Sequence, residues 1–491
     1  MPSVSHCSPI QTSTRTRGFA MKKQTKNMLG RRRFLQTLAA TGAATSFSLW
    51  PNFTPLSHAQ SHHPDAPDRY YIFCYFPGGW DVLLSLDPRD PAVFTNGNLR
   101  STQIQPGYEL LQNTDGRLIE AGGITFGPHI GELANHANRL SVIRGMSMDT
   151  LTHEVGRRRF LTGKAPSGLQ ARGSSAATWL ASHFGGQEPI PNLAVQVESY
   201  NKGLETYATA LSANSVSDLL RALRPADPSV SARVMQQLNA RLSDAALCAR
   251  GQRSSLWQSA EASRKKAREM VVGNYGDAFD FRANTLQMQS LRSRFGFNQN
   301  QTNSPEVRGA MAVQAITTGI SRCVSLSVCG GLDTHFDDWQ TNQGANQEQG
   351  YRVVSRIIEE LEAREYGDSG ESWLDRTVVV GFSEFTRTPL INTRGGRDHA
   401  LMNACFLAGG KVRGGTVIGR SSDVGMQPTT TNLYTGQFDQ GGEVIRPEHV
   451  LQTLFDEVGI GEAPDLRVPE CRGDLLDPCE QQIAIPRLLR S

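Results

Sequence analysis

Cysteine is sparse in this chain, eight in 491 residues, and no two stand as Cys-x-x-Cys. A cysteine-built zinc site is therefore disfavoured. Long apolar runs are also missing: past residue 60 nothing approaches the ~20 residues that a membrane-spanning helix needs. No GxGxxG or GxxxxGK[ST] loop supports nucleotide binding, and no GxSxG elbow supports an α/β-hydrolase esterase. The glycine-rich Gly409–Gly415 stretch reads as a turn, because no helix start follows it. A basic surface is lacking as well. The formal charge is +3, but residues 1–59 hold eight Lys or Arg and no acid. Removing them leaves 42 basic against 47 acidic residues, about −5, which argues against a nucleic-acid partner.

What is present begins with that basic leader. Gly30-Arg31-Arg32-Arg33-Phe34-Leu35 precedes a short apolar stretch rich in small residues, and Ser57-His58-Ala59 offers a cleavage site. Charge, apolar run and cleavage site in this order make a secretory signal, and the Arg pair before Phe-Leu resembles a twin-arginine one. The expectation is a leader over 1–59 recognised by the twin-arginine translocation machinery, and a mature periplasmic or secreted protein over 60–491 with no stable membrane span. Cys74, Cys323, Cys329 and Cys405 sit in apolar runs as small core residues. Cys471 and Cys479 flank a polar segment and could pair in an oxidising compartment.

Near-continuous apolar runs without alternation suit strands covered on both faces. They occur at Tyr70–Phe76, Arg139–Arg144, Asn192–Val197, Cys323–Cys329, Thr377–Phe382 and Ala404–Leu407. Helical spacing appears at Ser174–Phe184, Glu348–Arg364 and Pro447–Val458. Residues 229–294, rich in Ala, Arg, Gln and Ser, read as a helical insertion followed by a polar linker. Strands alternating with helices predict a single α/β domain, a three-layer α/β/α sandwich with a mostly parallel central sheet.

In such a sheet ligands bind at the carboxyl ends of strands, and the chemistry-bearing residues fall there. The first strand runs into Gly78-Gly79-Trp80-Asp81, the second into Asp149-Thr150-Leu151-Thr152-His153 and the fourth into Gly330-Gly331-Leu332-Asp333-Thr334-His335. The fifth runs into Ser383-Glu384-Phe385-Thr386-Arg387, with Gly395-Gly396-Arg397-Asp398-His399 beyond. Taken singly, an Asp after a strand more often caps a helix, and a loop His is more often simply hydrogen-bonded. Jointly, gathered carboxylates repel, and a divalent cation, whether zinc, calcium or manganese, removes that repulsion and suits mixed carboxylate and imidazole donors.

These motifs in this order resemble the domain-of-unknown-function 1501 family, exported proteins similar in layout to the alkaline phosphatase and sulfatase superfamily. The resemblance implies an alkaline-phosphatase-like sandwich and a metal-dependent hydrolase of phosphate or sulfate esters, with an anionic small molecule or glycan ester as substrate. It implies one metal on Asp81 and Glu384 and another on Asp333, His335 and His399, with Asp398 orienting a ligand. His335 stands two residues after Asp333 where the superfamily spaces Asp and His by four, and Phe385 stands where a second-site His is expected. His153 through Gly163 resembles the sulfatase signature: Arg157 and Thr162-Gly163 match, while His153 replaces its Cys or Ser. Arg157 would grip the anion. His153 attacks, transfers a proton or binds metal, Thr150 or Thr152 supplies a hydroxyl, or the nucleophile is lost and the pocket only binds. The last option makes the protein a non-catalytic binding or accessory protein.

Overall fold

A computed structural model describes residues 68–164, 170–223, 275–466 and 484–490, with scattered positions between 233 and 273. The expected leader and the Cys471–Cys479 pair lie outside these residues, as does much of the expected insertion. Within the insertion's span, the described part includes a helix over Leu286–Phe295.

Eight strands make the central sheet: β1 (Tyr70–Tyr75), β2 (Leu140–Ser147), β3 (Asn192–Val195), β4 (Leu211–Ala213), β5 (Cys323–Ser327), β6 (Thr377–Phe382), β7 (Met402–Gly409) and β8 (Thr416–Ile418). Their order is β8-β2-β7-β6-β1-β5-β3-β4. All run in one direction except β7, which is antiparallel to both β6 and β2. β4 and β8, three residues each, are the two strands that the apolar runs did not reveal.

Pleating sends alternate residues of β1 to opposite faces. Tyr70, Ile72 and Cys74 join one core with the helices α3 (Pro305–Thr317) and α4 (Gly344–Glu362). Tyr71, Phe73 and Tyr75 join the other, with α1 (His153–Thr162), α2 (Ala176–Phe184) and α5 (Pro447–Glu457). Every residue of β1 is buried, which is why the run shows no alternation. The described residues thus form a three-layer α/β/α sandwich. Cys74, Cys323, Cys329 and Cys405 are buried free thiols. Among the described residues no helix is long and apolar enough to cross a membrane.

Strand direction places the site. β1, β2, β5 and β6 all end at one edge of the sheet, and β7, running the other way, begins there. The segment just before β7 pairs as a short antiparallel ladder with the segment just after β6, so that His399 faces Arg387 and Ala400 faces Thr386.

Candidate metal centre

Three histidines and one aspartate from three loops meet at this edge. The Nε2 atoms of His335, His153 and His399 lie 3.1, 3.4 and 3.7 Å from Oδ1 of Asp333. One ligand atom each from His153, Asp333 and His399 lies within 4.8 Å of the others, a spacing that could hold one ion. Tetrahedral donors about 2 Å from an ion stand ~3.3 Å apart, close to the separations found.

The far nitrogen of each ring is anchored. His153 Nδ1 donates to Glu384 Oε1 at 2.8 Å, His335 Nδ1 to Asp398 Oδ1 at 2.8 Å, and His399 Nδ1 to the Leu151 carbonyl at 2.6 Å. A carbonyl or ionised carboxylate only accepts, so each Nδ1 carries the hydrogen. In a neutral ring Nε2 is then a bare lone pair, and all three lone pairs face Asp333. His335 and His399 bring theirs to 3.0 Å of one another. Four acceptors converge, and Arg387 meets two of them: Nη2 donates to Asp333 Oδ1 at 2.6 Å and Nη1 to His335 Nε2 at 3.2 Å. Such a surplus of lone pairs calls for a positive species among them.

Local electrostatics follow from these contacts. Burial alone would raise the Glu384 carboxyl. The hydrogen bonds from His153 and from the Gly78 N–H, at 2.8 Å, hold it below its ordinary value. The same His153–Glu384 bond raises the imidazole of His153. Burial lowers His399, whose tether is a neutral carbonyl. Partial burial pushes Asp333 up, but Arg387, with His153 and His335 behind it, holds it below the carboxylate norm. The bond from His335 lowers Asp398.

The glycines serve as backbone partners in this arrangement. Gly78 and Gly79 have φ of +109° and +81°, the region that glycine enters without cost. A Cβ on Gly78 would stand 2.8 Å from the Asp333 nitrogen, and one on Gly79 would stand 2.4 Å from the Phe385 ring. Their carbonyls accept from Arg387, Gly79 from Nε at 3.1 Å. Phe385, fully buried, lies under the cluster with its ring centroid 4.2 Å from that of His399 and 4.8 Å from that of His153.

Of the residues singled out in the sequence, His153, Asp333, His335, Glu384, Asp398 and His399 come together. Asp81 does not join them, and the expected Asp81–Glu384 metal pair does not form. Asp81 is buried, caps the turn Val82–Leu84 through the Leu83 N–H, accepts from Trp339 Nε1 at 2.9 Å and lies 3.1 Å from Arg397 Nε. Glu384 turns instead to His153, Gly78 and the Ser383 hydroxyl. Arg157 is likewise taken up elsewhere, donating to Glu198 Oε1 at 2.8 Å beside the Tyr75 phenol. Thr152 is exposed at the N-terminus of α1, its hydroxyl 3.4 Å from that of Thr150.

Three participants went unseen in the sequence. Arg387 stood inside a recognised motif, but nothing marked a cation as part of an acidic cluster. The Leu151 contact is a main-chain carbonyl, which carries no residue identity. At Phe385 the sequence marks only a missing ligand.

Among solved structures the chain is similar to Ps i-CgsB in complex with a neocarrahexaose, with 8% identity over 82% of this chain and 74% of that one and a TM-score of 0.35. It is also similar to the lipoteichoic acid synthase LtaP from Listeria monocytogenes, with 11% identity, 80% and 72% coverage and a TM-score of 0.31. A 2-O GAG sulfatase shows 10% identity, 82% and 74% coverage and a TM-score of 0.30. No curated protein matches the sequence. The family model for a protein of unknown function, DUF1501, matches residues 69–440, and the chain belongs to that family.

Proposed function

We propose that this chain is a metal-dependent hydrolase of phosphate or sulfate esters, exported through the twin-arginine pathway to the periplasm, with one divalent ion held by His153, Asp333 and His399. The observation that carries this reading is the convergence of three tethered imidazoles and a carboxylate, with their lone pairs facing inward, at the strand-end edge of an α/β sheet. The imidazole donors suit zinc, the carboxylate among them admits manganese, and calcium prefers an all-oxygen shell. The chemistry such an ion supplies is polarisation of an ester oxygen and acidification of water.

The chain's own groups have defined tasks in this scheme. Glu384 and the Leu151 carbonyl fix the tautomers of His153 and His399 and aim Nε2 of each ring at a common point. Arg387 keeps Asp333 ionised and takes the lone pair of His335, leaving that ring beside the ligands as a hydrogen-bonding neighbour. His153 serves as a ligand in this scheme, since Glu384 holds the hydrogen on Nδ1 and the free Nε2 lone pair faces the same point as Asp333.

A second reading, a metal-binding accessory protein without turnover, is favoured by Arg157, whose guanidinium is taken up by Glu198. Elemental analysis of the purified exported protein tests the first step. Stoichiometric metal in the wild type and none in Asp333→Ala is expected, and metal-free wild type that gains no thermal stability with zinc or manganese would overturn both readings. Aryl phosphate and sulfate esters then separate the two, because metal without turnover leaves only the second.

A further inference from the structure

The loop between β2 and α1 touches the segment before β7 twice. The Met148 N–H donates to the Leu401 carbonyl at 2.9 Å, and the Leu151 carbonyl accepts from His399 Nδ1. Between the two contacts lies Asp149, whose φ is +55°. A non-glycine residue there is uncommon, although Asp tolerates it better than most. Two residues after the second contact α1 begins, with His153 as its first residue. The bend at Asp149 therefore lies directly upstream of both the tether of His399 and the start of the helix that carries His153.

The carboxylate of Asp149 holds this bend from three sides. Ser147 Oγ donates to Oδ1 at 2.9 Å, Arg159 Nη2 to Oδ2 at 2.9 Å, and Arg446 Nε stands 3.4 Å from Oδ2. Arg159 lies on α1 itself, has a side chain with no exposure, and also pairs with Glu448 on α5 at 2.9 Å. A strained residue persists only where its surroundings over-determine it, and such residues gather at functional sites. Here the surroundings are a hydroxyl and two guanidiniums, one of them from the helix being positioned.

We infer that Asp149 is a positioning residue of the cluster: its carboxylate locks the loop against Arg159 so that the Leu151 carbonyl fixes the tautomer and orientation of the His399 ring. The metal-affinity arm below rests on the metal reading, while the tautomer arm does not.

The test compares Asp149→Ala, Asp149→Gly and Asp149→Asn in the full mature chain. Histidine 15N NMR of metal-free protein, at a pH where the ring is neutral, reports the His399 tautomer. The wild type is expected to show Nδ1–H alone. Ala and Gly should mix the two tautomers, and Asn, which accepts positive φ and can still accept from Arg159, should restore the single form. Zinc affinity by chelator competition is expected to fall ~10–100-fold in Ala and Gly, as for other groups that orient ligands. Gly removes the backbone strain, so an unchanged tautomer in Gly means that the carboxylate does not position the ring, and that result overturns the inference. A lower melting temperature in all variants with no tautomer change is a merely structural role and overturns it too. Wild type that binds no zinc refutes the metal reading and leaves the tautomer arm to decide this one.

Discussion

Two neighbouring strands, β1 and β5, end in the same four-residue pattern, Gly-Gly-x-Asp, and the two aspartates have opposite fates. Asp81 is buried, with 1% of its side chain exposed, against Arg397 and Trp339, whereas Asp333 is 53% exposed with three imidazoles around it. Both have an arginine partner, at 3.1 Å for Asp81 and 2.6 Å for Asp333. The difference lies in what covers the pair. A π-helical turn, Trp339–Gln343, leads into α4 and lays the Trp339 indole over Arg397, 4.6 Å from guanidinium carbon to ring centroid. Nothing comparable covers Asp333 among the described residues. The same local pattern thus makes a buried structural pair in one loop and an open, ligand-rich site in the next. The two also touch, since Gly78 packs on the Asp333 backbone.

The largest way to break this contrast is to remove each carboxylate. Asp81→Ala leaves Arg397 buried without its counter-charge and should cost about 3–5 kcal/mol of unfolding free energy. Asp333→Ala should cost less, because half of this carboxylate already faces solvent and buried Arg387 keeps the carbonyls of Gly78, Gly79 and Arg397 as acceptors, yet it should abolish metal binding. Denaturant unfolding read beside metal content checks both variants. An Asp81 variant that folds normally but loses its metal would mean that the roles are reversed.

Next in size is Gly79→Ala. The new methyl meets the Phe385 ring, and the backbone stays at positive φ, so a loss of about 1–3 kcal/mol is expected. Because Phe385 underlies His153 and His399, metal affinity should fall with stability. A full loss of stability with unchanged affinity would show that Phe385 does not support the rings. Glu384→Gln is subtler. It keeps an acceptor for His153 and for the Gly78 N–H but removes the charge, so the fold should hold while metal affinity falls ~10–100-fold by chelator competition. Affinity equal to wild type would make Glu384 a mere space-filler.

The sequence made the sheet legible because six of its strands are doubly buried and read as unbroken apolar runs. The three-residue strands β4 and β8 are too short for any period to show. Chemistry after strand ends was legible for a related reason: parallel strands deliver their C-terminal loops to one edge. His399 belongs there only because β7 runs the other way, which no local pattern announces. The fate of Asp81 was not legible either. Its cover comes from Trp339, 258 residues away in sequence, and a Gly-Gly-x-Asp motif looks the same with or without that cover. Long-range packing, rather than motif, decides which aspartate stays open.

The smallest effect sharpens the contrast by using a third aspartate. Asp87 is as buried as Asp81, yet the two carboxyls shift in opposite directions. Burial dominates at Asp81 and raises it in spite of Arg397. At Asp87 burial is outweighed by Arg89, Arg144 and the Ser421 hydroxyl, and the carboxyl is lowered. Native Asp81 therefore binds its proton more tightly than the unfolded chain does, and its contribution to stability declines as pH rises from the ordinary value of 3.8 toward the raised native one. Native Asp87 binds its proton less tightly, so its contribution is present above 3.8 and is lost as pH falls through the lowered native value. Unfolding free energies of Asp81→Asn and Asp87→Asn, measured against wild type between about pH 3 and 6, should differ from it with opposite slopes. The Asp81 variant gains relative to wild type as pH rises, and the Asp87 variant loses. Slopes of the same sign would mean that Arg397, an indole N–H and the Leu83 N–H stabilise a buried carboxylate as well as two arginines and a hydroxyl do, and the argument that Asp81 is held by cover rather than by charge would fail.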